Sequence, residues 1–305
     1  MPNLRHRLTE QFFQIAAGGW LPRRWFAKAC PESVNLPART GRLQLEIVSH
    51  CWKYSHLQDY QLSSLVLDPP HDCDVTMTVF HSEEDPRTVE LLRFFEQQSP
   101  PNVTWNWWAL PKEQLFRRAI GRNLAAKATS ADWIWFTDCD QLFREGCLDA
   151  LQEQLQGRQD MLVFPTQVHC TPLLEHDSRV LTATSAPAVV DIDPTEFVLK
   201  SHAKAIGALQ ILHGDVARLT GYCEAIPFYQ QPVEHWHKTY EDRAFRWLLG
   251  TDGVPIHVPG IYRIEHVCKG RYAAADGQPD FLRRVSARIA PRAPRQADLN
   301  QRDAA

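Results

Sequence analysis

The chain has 305 residues, with 33 Lys and Arg against 36 Asp and Glu, a formal charge of −3 and 44% hydrophobic residues. That length and composition support a proper core and exclude a disordered chain, and the near-balanced charge excludes nucleic acid as the expected partner. Mean hydropathy of −0.36 without an 18-residue apolar run excludes a membrane span, and 8 scattered cysteines with no CxxC or zinc spacing, behind no signal-like opening, predict a reduced cytoplasmic setting.

In chain order, residues 1–42 form an N-terminal extension that mixes aromatics and cations (Phe12, Phe13, Trp20, Arg23, Arg24, Trp25, Lys28) around Gly18-Gly19. It reads as a helix packing on the main domain, with peripheral membrane contact through residues 1–30 as the alternative. From Leu43 the pattern alternates: strand 43–48, helix 55–66, strand 75–80, amphipathic helix 87–97, strand 103–110, helix 111–128 and a strongly apolar strand 133–136. Such alternation predicts an α/β fold, a Rossmann-like, mostly parallel sheet flanked by helices, with ligands at the carboxyl ends of the strands. A helix at 147–156 and a strand at 161–164 follow. The polar stretch 166–206 reads as a long, partly ordered excursion over a binding face. Pattern returns at 207–222, 241–249 and 254–262. The main domain is expected over 43–282, divided into a nucleotide-binding half, 43–143, and an acceptor half, 144–282, with 283–305 as a disordered tail. The 10 Trp suit either core filling or stacking walls for bases and sugars.

Three Asp-x-Asp triplets occur, against roughly 1.3 expected by chance from 20 Asp in 305 residues, so context decides between them. Asp72-Cys73-Asp74 precedes a strand, the wrong end for a ligand, and Asp191-Ile192-Asp193 is closed by Pro194; both read as turns. Asp138-Cys139-Asp140 directly follows the strongest strand. Two carboxylates at a strand end suit Mg²⁺ or Mn²⁺, hard cations that take oxygen ligands and keep positions open for phosphates; the alternative is a loop whose carboxylates cap the next helix.

The segment upstream, Phe116-Arg117-Arg118-Ala119-Ile120-Gly121-Arg122-Asn123, leads through Ala131-Asp132 and the apolar strand into this triplet. Here the sequence resembles glycosyltransferases of the GT-A fold, the inverting family two and the galactosyltransferases. The resemblance implies Arg118 and Arg122 on the donor diphosphate, for which a guanidinium fork is suited. Arg117 reads as part of a solvated helix face. Downstream, Glu241-Asp242 at a helix start matches the family's Glu-Asp, which implies Asp242 as general base and Glu241 as the residue orienting the acceptor. Gly260 to His266 matches the strand ending in the metal-ligating His, so the implied metal site is Asp138, Asp140 and His266. Gly207 to Gln210 and Gly214 to Tyr222 resemble the family's glycine-containing strand and helix, where glycine allows close approach to the sugar.

Glu83, Glu84 and Asp85 occupy the region that reads the base or ribose, with Asp85 the candidate. The sequence departs from the family in two places. Ser49-His50-Cys51-Trp52-Lys53 lacks the usual nucleotide-binding turn, and Arg263 stands where galactosyltransferases have a metal-ligating Met; an arginine cannot ligate. The implied function is a metal-dependent inverting transferase that moves a sugar from a nucleotide diphosphate, a UDP-sugar first and a GDP-sugar second, to a glycan or lipid-linked hydroxyl. Lys269 and Arg271 are candidate helpers of the leaving diphosphate. The competing readings are a sugar-nucleotide-binding module without catalysis and a sugar-phosphate nucleotidyltransferase, which normally has a Gly-rich turn after the first strand.

Overall fold

The computed structural model describes residues 4–27, 30, 35–182, 186–235 and 240–267. Its elements run α1 (Leu4–Ile15), β1 (Gln44–His50), α2 (Ser55–Leu67), β2 (Asp74–His81), α3 (Pro86–Glu96), β3 (Val103–Ala109), α4 (Lys112–Leu115) and α5 (Arg118–Ala128). There follow β4 (Trp133–Phe136), β5 (Gln141–Phe143), α6 (Cys147–Leu155), β6 (Leu162–Pro165), β7 (Gln167–Cys170), α7 (Arg179–Thr182) and β8 (Val198–Ser201). The last are β9 (Gln210–His213), α8 (Gly214–Thr220), α9 (Glu241–Leu249), β10 (Val254–Ile256) and β11 (Ile261–Arg263).

Seven strands form the central sheet in the order β10-β6-β9-β4-β1-β2-β3. β9 runs antiparallel to β4 and β6, and the other pairings are parallel. This is the mostly parallel, helix-flanked α/β sheet that the alternation predicts. All four residues of β4 are buried, as a strand covered on both faces must be, and Trp133 and Trp135 serve as core. The chain passes from β1 out to β2 and β3 and then returns to lay β4 on the other side of β1. The crevice at the carboxyl ends of β1 and β4 is therefore the switch point at which such sheets present ligands.

The single helix expected over 111–128 is broken at Arg117, whose φ of −103° and ψ of 89° leave the helical region. The expected excursion over 166–206 instead contains β7, α7 and β8, and builds a second sheet in the order β5-β11-β7-β8. Its strands are short, and β8 is exposed along its whole length, so no alternation of apolar and polar residues marks it. The N-terminal segment packs on α9 and on the turn at 227–230: Phe26 meets Trp247 at 5.4 Å and Arg23 donates to the Leu249 carbonyl at 2.5 Å, while Phe13 meets Phe228 and Tyr229 at ring distances of 6.5 and 6.2 Å. No described helix is long and apolar enough to cross a membrane. The expected tail, 283–305, lies outside the described residues, as do Lys269 and Arg271.

Candidate functional site

The Asp138-Cys139-Asp140 turn is fixed on three sides. Thr137 donates its N–H to Val48 of β1 at 2.9 Å, and Gln61 of α2 donates to the Asp138 carbonyl at 2.9 Å. From the second sheet, Ile264 donates to the Asp140 carbonyl at 2.8 Å, and Arg263 is paired in register with Gln141. The carboxylates thus emerge where the two sheets meet.

Three arginines surround them. Arg118 donates to Asp138 Oδ1, Arg122 Nη2 lies 3.6 Å from the same oxygen, and Arg263 Nη2 lies 3.7 Å from Oδ2. Arg263 Nε is also 3.5 Å from Asp140 Oδ1, and His266 Nε2 is 3.6 Å from Asp140 Oδ2. Burial pushes the Asp138 carboxyl up and so does Asp140, but Arg118, Arg122 and Arg263 outweigh both and hold it down to about 2. Asp140, then Asp138, in turn hold Arg263 firmly protonated. The two arginines expected on the diphosphate differ in accessibility: the Arg118 side chain is 38% exposed and Arg122 only 1%. Arg122 donates to the Tyr222 hydroxyl at 2.9 Å and to the Thr137 carbonyl at 3.1 Å. Its guanidinium is thus enclosed beside Asp138, with Nη1 spent on Tyr222 and Nη2 on Thr137.

The expected metal site of Asp138, Asp140 and His266 is brought together, yet the donor set does not fit a divalent cation as it stands. Among the described residues no cluster of three His, Cys, Asp or Glu is arranged to hold a metal. The charge that would bridge the carboxylates is already supplied by Arg263.

α9 carries the two carboxylates expected on the acceptor side, Glu241 and Asp242. Glu241 Oε2 accepts the Ala119 N–H at 3.2 Å, and Oε1 lies 3.8 Å from Arg117 Nη1, which seats the first turn of α9 against the first turn of α5. This corrects two expectations. Glu241 is 4% exposed and spends its carboxylate on α5 and Arg117, so it is not placed to orient an acceptor. Arg117 is no solvated residue but is fully buried, 4.9 Å over the Phe228 ring. Asp242, by contrast, keeps a side chain that is 37% exposed, with Arg246 Nη1 3.8 Å away. Gln210 donates to the Asp242 carbonyl at 3.2 Å and accepts from the Tyr222 hydroxyl at 3.0 Å. With Arg122 on Tyr222, this chain of contacts links Asp242 to Asp138.

Asp85 caps α3. It accepts from the Thr88 hydroxyl at 2.7 Å and from the Lys53 N–H at 2.5 Å, which ties the β1–α2 loop to the end of β2. It also lines a cavity of about 720 Å³ together with His56, Asp59, Tyr60 and Pro187. The Tyr54 ring stands between this cavity and the triplet, 6.2 Å from the ring of His56 and 5.5 Å from that of His266.

No protein-family model matches the chain, and no curated protein matches it. Among solved structures, the chain is similar to the mannosyltransferase PcManGT from Pyrobaculum calidifontis, solved in complex with GDP-Man and Mn²⁺, at 17% identity and a TM-score of 0.42, over 88% of this chain and 67% of that one. It is also similar to TarS 1–349 of S. aureus at 11% identity and a TM-score of 0.40, over 74% of this chain and 58% of that one. For TarS 1–349 in complex with UDP the figures are 10%, 0.43, 73% and 60%. The chain therefore spans less than two thirds of the TarS chains.

The other triplets lie elsewhere: Asp74, the first residue of β2, pairs with Arg42 at 2.9 Å, and Asp193 caps the turn at Thr195 with a 2.9 Å hydrogen bond. Of the glycines expected to approach a sugar, Gly214 serves chain packing, since a Cβ there would lie 2.0 Å from the Ala131 carbonyl oxygen, and a Cβ on Gly207 would meet Asp242 Cβ at 3.6 Å. Sequence reasoning placed Gln210 and Tyr222 at the ends of two matched segments but missed them as connectors, since their partners lie far away in sequence. It also missed His50, at the end of β1, whose ring nitrogens make no hydrogen bond and which burial, then Arg122 and Arg118, keep neutral.

Proposed function

We propose that this chain is a glycosyltransferase that moves a sugar from a nucleotide diphosphate donor to a hydroxyl acceptor with inversion at the anomeric carbon. What supports the reading is the seating of α9 on α5 through Glu241, which ties the helix start that carries the exposed Asp242 carboxylate to the helix start that carries the accessible Arg118. In this reading Arg118 takes the diphosphate, and the cavity bounded by Asp85 takes the nucleoside. Asp85 itself is engaged with Lys53 and Thr88, so it shapes that cavity more than it offers a free carboxylate. The sequence resemblance favours a UDP-sugar, with a GDP-sugar second, and a glycan or lipid-linked hydroxyl as acceptor.

Asp242 removes the acceptor proton as the hydroxyl oxygen bonds to the anomeric carbon from the face opposite the leaving group. The bond from that carbon to the diphosphate oxygen breaks, and its electron pair leaves with the nucleoside diphosphate. One positioned base contributes about 10²–10⁴-fold. Guanidinium groups already arranged around the leaving diphosphate stabilise its developing charge without reorganisation.

The test is a thermal-shift panel of UDP-, GDP-, CMP- and dTDP-sugars, since a ligand that binds only the folded state raises its stability by mass action. A shift with one nucleotide class that disappears in Arg118→Ala supports the reading. No shift with any of them contradicts it.

A further inference from the structure

We propose that Arg263 is the resident cation of this site and that it meets the donor diphosphate in the role the sequence assigns to a divalent metal. The inference rests on the nucleotide-sugar reading above and specifies how the diphosphate is held. Its basis is placement. β11 is bound on both sides, antiparallel to β5 with Arg263 opposite Gln141, and parallel to β7 with Arg263 opposite Cys170. Thr171 donates its N–H to the Arg263 carbonyl at 3.0 Å, and the next residue, Ile264, donates to the Asp140 carbonyl at 2.8 Å. The backbone under Arg263 is thus fixed to the Asp138–Asp140 turn itself, and its guanidinium reaches both carboxylates, Asp138 at 3.7 Å and Asp140 at 3.5 Å.

Those separations are ion-pair distances longer than hydrogen bonds, and Arg263 Nε makes no hydrogen bond. The carboxylates therefore hold the guanidinium by charge, and the side chain stays 18% exposed, so its outer edge is reachable. A planar fork so held suits two phosphate oxygens. Charge agrees: Arg118, Arg122 and Arg263 against Asp138 and Asp140 leave the cluster one positive charge in excess before a ligand arrives, which favours a phosphate anion and disfavours a dication.

The experiment is calorimetry of UDP and GDP with the full chain, in excess EDTA and again with Mn²⁺ or Mg²⁺. The expected result is binding in EDTA within about threefold of that with the cation, a tenfold or greater loss in Arg263→Met, and partial recovery in Arg263→Lys, whose ammonium keeps charge without the fork. Circular dichroism establishes that each variant is folded, and the wild-type comparison stands without either of them. Binding that is lost in EDTA and restored by Mn²⁺ overturns the role of Arg263 but leaves the nucleotide-sugar reading intact, as does unchanged affinity of Arg263→Met in EDTA. Absence of binding with and without cation overturns the nucleotide-sugar reading, and this inference with it.

Discussion

The buried pair of Arg117 and Glu241 makes a prediction opposite to the one its sequence context suggests. The two side chains are 0% and 5% exposed, with 3.8 Å between Nη1 and Oε1. No side-chain nitrogen of Arg117 makes a hydrogen bond, so Glu241 and the faces of Phe228 at 4.9 Å and Tyr229 at 5.9 Å balance its desolvation. At 3.8 Å and an effective dielectric of about 20, the Coulomb attraction is about 4 kcal/mol, which agrees with the ~3–5 kcal/mol typical of removing one partner from a buried pair. Glu241→Gln is therefore expected to be destabilised by about 3–5 kcal/mol, and at ~2–4 °C per kcal/mol its melting temperature should fall by roughly 6–20 °C. Because Gln retains an oxygen for the Ala119 N–H, most of that loss reflects the stranded guanidinium. The double variant Arg117→Met with Glu241→Leu should recover most of it, since well-packed apolar residues often replace a buried ion pair without cost. Thermal and urea melts of the three variants check this. A Glu241→Gln protein that melts within about 2 °C of wild type and loses acceptor affinity instead would refute the reasoning and restore Glu241 to the acceptor.

The remaining predictions concern the cavity wall, two glycines and the accessible arginine. Burial pushes the Asp59 carboxyl from 3.8 up to about 7, so the folded chain holds a proton that the unfolded chain releases above pH 4. Stability from this group is full below pH 4 and is lost as pH rises toward 7; urea melts across that range should show the wild-type slope flattened in Asp59→Asn, and an unchanged slope excludes the assignment. Gly214→Ala places a methyl 2.0 Å from the Ala131 carbonyl oxygen and should cost about 1–3 kcal/mol or more, whereas Gly207→Ala meets Asp242 at an ordinary 3.6 Å and should melt like wild type while slowing transfer. Arg118→Ala should weaken donor binding by about 1.5–3 kcal/mol in calorimetry, with Arg118→Lys recovering only part.

Much of the fold was legible because it is periodic. β1, β2 and β4 are mostly buried and alternate with helices, and that pattern gives the parallel sheet and the switch point beside Asp138. The second sheet was not legible, since β5 and β11 have three residues each and meet only after more than a hundred intervening residues. At the candidate site, Arg118, Asp138, Asp140 and Asp242 were singled out from motif order, and the structure gathers the first three together with Arg263. Burial was not: nothing adjacent in sequence distinguishes Glu241, which is enclosed, from Asp242, which is 37% exposed, or Arg122 from Arg118. Arg263 was recognised as unable to ligate a metal, but its contact with both carboxylates depends on β11 being sewn to the Asp140 turn, a tertiary fact with no local signal.

The central claim, base-assisted inverting transfer at Asp242, is tested most directly by following the slow hydrolysis of the stabilising sugar nucleotide, with water in place of the acceptor, by proton NMR of the anomeric centre. The account predicts that the sugar first released has the configuration opposite to the donor, and that Asp242→Asn keeps the wild-type melting temperature and donor affinity while slowing release roughly 10²–10⁴-fold. Release with retained configuration, or an undiminished rate in Asp242→Asn, would contradict it.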